Sequence, residues 1–127
     1  MRAVAIKKGQ TREKVAGFRE MGFRQGEAYA LWALGRVRQS TGEYTTAALL
    51  QEQALATTRY LGAPDQAAGM AAYSLACAQA QAGMIGEAVK TLTEAITLNP
   101  DVRANASRDA DLAQLRDNGQ LTAILAV

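Results

Sequence analysis

The chain has 127 residues, 49% of them hydrophobic, with two prolines, one cysteine, no histidine and a formal net charge of +2; this length suits one domain with a single modest core. Alanine loses no side-chain entropy on entering a helix, so the alanine-rich composition with few β-branched clusters predicts an all-α fold. No apolar run approaches the ~20 residues that a membrane span needs, residues 1–10 carry Arg2, Lys7 and Lys8 without a signal-peptide core, and the lone Cys77 excludes an intramolecular disulfide. The expected compartment is a bacterial cytoplasm.

Charge divides the chain unevenly. Residues 1–24 hold seven Lys and Arg against two Glu, a net +5, whereas residues 25–127 hold seven against ten acidic residues, a net −3. Two readings of the basic segment stand: a solvated helix face with a frayed terminus, or an arm that meets nucleic acid or an acidic partner. No aromatic residue suited to base stacking precedes Phe18, which favours the first and makes nucleic acid an unexpected partner.

Within residues 11–21, Val15, Phe18 and Met21 fall on one helical face. Residues 25–41 then place Ala28, Leu31, Leu34-Gly35 and Arg38 at steps of three and four, a single inward face that Gly42 stops. Glycine inside a helix costs about 1 kcal/mol relative to alanine, so Gly35 predicts the close approach of a neighbouring helix. A second helix opens at Glu43 and runs to about Leu61, with Tyr44, Ala47, Leu50, Ala54 and Leu55 inward, and ends at Gly62-Ala63-Pro64. Asp65 suits the N-terminus of a third helix, over residues 65–82, because its carboxylate complements orphan N–H groups there. After Gly83 comes a fourth over residues 85–98, with Ala88, Leu92, Ala95 and Ile96 inward, ended by Asn99-Pro100. Glycine turns this short force the paired helices antiparallel. Farther on, Asn118-Gly119 has no alternating apolar strands beside it and reads as a break between two short helices.

These helices carry an internal repeat. Leu31, Leu34-Gly35, Gly42, Tyr44, Ala47 and Ala54-Leu55 recur 41 residues later as Ala72, Leu75-Ala76, Gly83, Ile85, Ala88 and Ala95-Ile96, followed by Asn99-Pro100. A fixed period of this size marks stacked supersecondary units. The landmarks resemble the tetratricopeptide repeat: a large residue, Leu-Gly or Leu-Ala, a glycine turn, two alanines seven apart and a closing proline. Residues 28–61 and 69–100 follow it nearly throughout, and the longer spacing resembles that of bacterial regulatory repeats. Gln51 stands where a large apolar residue is usual, and Arg59 where the first copy would have its proline. Arg24-Gln25-Gly26-Glu27-Ala28 after Gly22 resembles the link between repeats, which makes residues 11–21 the second helix of a damaged preceding unit. The tail, with Val102-Arg103, Asp109-Ala110-Asp111-Leu112, Leu115-Arg116-Asp117-Asn118, Leu121 and Ile124-Leu125, resembles a terminal capping segment. The resemblance implies a short right-handed superhelical solenoid: a basic arm and partial helix at 1–22, repeats at 23–62 and 63–100, and a cap at 101–127.

The absence of histidine removes imidazole acid–base chemistry, His-dependent nucleophiles and histidine metal sites. Cys77, beside the small residue of the second Leu-small pair, reads as a packing thiol. Asp109, Asp111 and Asp117 lack the glycine and glutamate of a calcium loop and read as helix caps. No phosphate-cradling glycine loop is present. The expectation is therefore a non-enzyme without cofactor or metal. In the family, first helices line a concave groove, and the positions not consumed by packing are Tyr29, Trp32, Arg36 and Gln39 on one, and Met70, Tyr73, Cys77 and Ala80 on the next. Trp, Tyr and Arg are the types that anchor interfaces, so a partner protein or peptide is expected there; filling the join between units is the competing role for Trp32 and Tyr73. Two other readings remain, a sensor fragment of a larger transcription regulator and a self-associating homodimeric scaffold.

Overall fold

A computed structural model describes residues 8–126, with side chains from Glu20 onward, and every regular element among them is helical. The elements are α1 (Lys8–Ser40), α2 (Tyr44–Tyr60), α3 (Asp65–Gln81), α4 (Ile85–Leu98), α5 (Val102–Ala106), a 3-10 turn (Ala110–Leu112), α6 (Ala113–Asp117) and α7 (Gln120–Leu125). Each of the first four packs on the next, and the short C-terminal helices lie against α3 and α4. No helix among the described residues is long and apolar enough to cross a membrane.

The two hairpin turns are built alike, 41 residues apart. At the first, Gly42 N–H donates to Gln39 O and Glu43 N–H to Arg38 O; at the second, Gly83 N–H donates to Ala80 O and Met84 N–H to Gln79 O. Both glycines hold positive φ, near 80°, which closes the two bonds of a Schellman motif and which a side chain would oppose. That chemistry explains why the predicted stops fall within a residue of the observed helix ends.

The predicted link after Gly22 is not a turn. α1 is one helix of 33 residues that runs through Gly22 and Gly26, so residues 11–21 are not a separate helix folded back as part of an earlier pair. Neither glycine takes positive φ. Arg24 pairs with Glu20 and with Glu27, each at 3.0 Å, so i,i+4 and i,i+3 contacts bridge both glycines along the helix surface. The Val15 and Phe18 side chains lie outside the described residues, and Met21 is exposed.

The inward face of α1 also differs from expectation. Leu34 is 43% exposed, and Phe23 and Val37 are exposed with it; among the described residues no earlier helix pair lies beside α1 to cover that side. Gly35 does meet a neighbour: a Cβ there would stand 2.5 Å from Gln51 Nε2. Gln51 is fully buried, and its Nε2 donates to Trp32 O at 3.2 Å. The polar departure from the repeat pattern thus ties α2 to the α1 backbone, with Gly35 leaving room for it.

In the second unit the core is apolar and matches expectation, with Ala88, Leu92, Ala95 and Ile96 all buried. The tail completes it. Val102, Ala106, Leu112, Leu115 and Leu121 join the same cluster as α3 and α4, covering apolar surface that would otherwise face water. Gly119, at φ 81°, provides the predicted break between α6 and α7.

Candidate functional site

The first helices of the two pairs, α1 and α3, run side by side and are laced by side chains. Trp32 Nε1 donates to Ser74 Oγ at 3.1 Å, and Gln39 Nε2 donates to Gln81 Oε1. Both pairs are 42 residues apart, one more than the repeat period. The cross-unit neighbour of Trp32 is therefore Ser74 rather than the expected Tyr73. Tyr29 packs beside Trp32 one turn earlier, with ring centroids 5.7 Å apart.

Of the residues expected to bind a partner, Tyr29, Trp32, Arg36 and Met70 are exposed, whereas Gln39, Tyr73 and Cys77 are buried, as is Ala80. The tail covers two of the buried members, Tyr73 and Cys77. Tyr73 OH donates to Asp109 Oδ2 at 2.6 Å, and the Cys77 thiol approaches the same oxygen at 3.8 Å. Asp109 Oδ1 accepts the Asp111 N–H at 3.0 Å and so caps the 3-10 turn. Gln81 Nε2 donates onward to Asp111 Oδ1 at 3.2 Å, and Arg116 Nη2 donates to Asp109 O at 2.9 Å. The open surface thus lies on α1 and at Met70 of α3, bordered by a polar network that runs from Gln39 to Asp109.

Electrostatics in this network follow from burial. Desolvation, then the charges of Asp109 and Asp111, push the Cys77 thiol well above its usual range. Burial and the bond to Asp109 push the Tyr73 phenol up as well. Burial, then repulsion from Asp109, raises Asp111, and Arg36 opposes that rise. The ligand atoms of Cys77, Asp109 and Asp111 lie within 4.8 Å of one another. Both Asp109 oxygens are already engaged by Tyr73 and by the Asp111 amide, so the group acts as a hydrogen-bonded clasp between α3 and the tail.

A thiol that is 2% exposed and held protonated is a poor nucleophile. Cys77 should therefore react with a thiol reagent at neutral pH only as fast as the protein opens; stopped-flow labelling as rapid as that of a free thiol, in folded protein, would contradict this.

Sequence reasoning found the landmark residues but missed Ser74, Gln81 and the docking of Asp109 and Asp111 on α3. The signal for the first two is the repeat period with a one-residue offset, which side-chain reach between neighbouring helices permits. Compared with protein-family models, curated proteins and solved structures, the chain matches none, so its repeat resemblance rests on the landmark residues themselves.

Proposed function

We propose that this chain is a protein–protein interaction module without enzymatic activity, its helix pairs stacked in the manner of tetratricopeptide repeats, and that it binds a peptide or helix of a partner protein across α1 and α3. The observation that carries the reading is the set of exposed anchor-type residues on neighbouring helices: Tyr29 and Trp32 in ring contact, Arg36 one turn on, and Met70. Trp32 is 38% exposed while its indole N–H is held by Ser74. Its ring is therefore oriented before a ligand arrives, which reduces the ordering cost of binding. Arg36 supplies a bidentate donor for a carboxylate on the partner.

Trp32 is the chain's single tryptophan, so its fluorescence reads this surface directly. Peptides from a partner captured by affinity methods should shift its emission on binding. Trp32→Ala should weaken that partner by about 2 kcal/mol, roughly 30-fold, with Arg36→Glu also weakening it and Lys90→Ala, on α4, leaving it unchanged. A partner held equally well by wild type and by the Trp32→Ala, Arg36→Glu double variant would show that this face is not the binding surface.

A further inference from the structure

The outer side of α1, turned away from α2 and α3, carries an apolar stripe. Phe23, Ala30, Leu34 and Val37 follow one another at steps of seven, four and three, so they share a face about 21 Å long at 1.5 Å per residue. All four are exposed. Their counterparts one repeat on are not: Leu75 and Ala78 are buried and Ala71 is packed against the core, on a helix that α2 lies against. The same face is thus a packed helix interface in the second unit and open to water in the first.

The glycines sharpen the contrast. Glycine weakens a helix, and within the packed pairs a neighbour takes up the space it leaves: a Cβ on Gly35 would meet Gln51 Nε2, and one on Gly69 would stand 2.5 Å from Asn99 Cβ. Gly26, at the edge of the open stripe, has nothing within 4 Å. It lies four residues before Ala30, and Leu34 lies four after; Phe23 and Val37 lie seven before and seven after. The face is therefore self-complementary. When two copies cross antiparallel at Ala30, Leu34 of each stands over Gly26 of the other and Phe23 of each over Val37 of the other, with the small alanine at the crossing letting the helices approach closely. Glu27, beside the stripe, is already held by Arg24 at 3.0 Å, so the pairing strands no charge there.

We propose that α1 pairs antiparallel with α1 of a second copy through Phe23, Gly26, Ala30, Leu34 and Val37, in a two-fold contact centred on Ala30. The same patch serves both copies, so the assembly closes as a dimer. One stripe of this length buries well under the ~800 Å² per partner of a standard interface, so the dimer is weak and forms at about 100 µM chain and above. Dilute chain is monomeric, with the face open. The α1–α3 face argued above is separate: Gln39, which holds Gln81, lies nine residues from Ala30 and half a turn round the helix.

The test is sedimentation equilibrium of the whole chain from about 10 to about 500 µM, where the wild-type mass should rise from one chain toward two. Gly26→Leu puts a good helix former where nothing stands within 4 Å. It should therefore melt no lower than wild type, yet it fills the hole and should weaken association at least about 10-fold. Gly26→Leu combined with Leu34→Ala exchanges knob and hole and should dimerise more tightly than Gly26→Leu alone. Val37→Glu, at an exposed site, should stay monomeric throughout, and Trp32→Ala, on the other side of the helix, should leave the wild-type association unchanged. A wild-type chain that is monomeric at every concentration, Gly26→Leu or Val37→Glu associating as tightly as wild type, or an exchange variant no tighter than Gly26→Leu would each overturn the proposal.

Discussion

Leu112→Ala should lower the stability by about 2–5 kcal/mol, whereas Leu34→Ala should cost about 1 kcal/mol or less. The two leucines look alike in sequence. Leu34 belongs to the most prominent landmark of the first repeat, and Leu112 to an irregular tail. In the fold, however, Leu112 is fully buried in the cluster that joins α3, α4 and the C-terminal helices, while Leu34 keeps 43% of its surface in water. Truncating the first removes transfer free energy and leaves a cavity in close-packed surroundings; truncating the second removes a side chain that folding covers only in part and leaves no enclosed cavity. Urea melts of both variants with unchanged slope measure the difference. An equal loss at the two sites would mean that the outer face of α1 is covered in solution, and a loss at Leu34 alone would refute the capping role of the tail.

The contrast shows what the sequence could disclose. Helix ends were legible because they depend on local chemistry: positive-φ glycines at Gly42 and Gly83, and Asn99-Pro100 after α4. The inward face of α4 was legible because α3 and the tail enclose it on both sides. Burial on α1 was not, since the same leucine spacing serves whether or not a preceding unit exists to cover it. Gly22 and Gly26 looked like turn residues, but glycine only permits a turn, and nothing packed against that stretch among the described residues imposes one. The candidate surface was half legible. Helical spacing placed Tyr29, Trp32 and Arg36 together, but the burial of Tyr73 and Cys77 arises from Asp109, more than 30 residues away in sequence, which no local pattern could signal.

The clasp formed by Asp109 is the second point of high leverage, and Asp109→Ala should cost about 2–4 kcal/mol. One oxygen is lost as the cap on the Asp111 N–H, worth about 1 kcal/mol; the other is lost as the acceptor of the buried Tyr73 hydroxyl, which leaves a polar group unpaired at about 1–3 kcal/mol. Relief of the repulsion that Asp109 exerts on Asp111 offsets part of this. Tyr73→Phe in the Asp109→Ala background should cost less than in wild type, because the hydroxyl has already lost its partner, and a double-mutant cycle isolates that coupling. The pH dependence provides an independent check. Asp111 is held above its ordinary range, so from about pH 4 up to its raised value the folded state binds more protons than the unfolded, and stability falls as pH rises. Asp109→Asn removes one cause of the rise and should flatten that acid-side slope, while burial of Asp111 preserves the rest. Denaturant melts from pH 4 to 7 test this: a slope unchanged in Asp109→Asn, together with no coupling between Tyr73 and Asp109, would show that the tail is held by Leu112 and Leu115 alone.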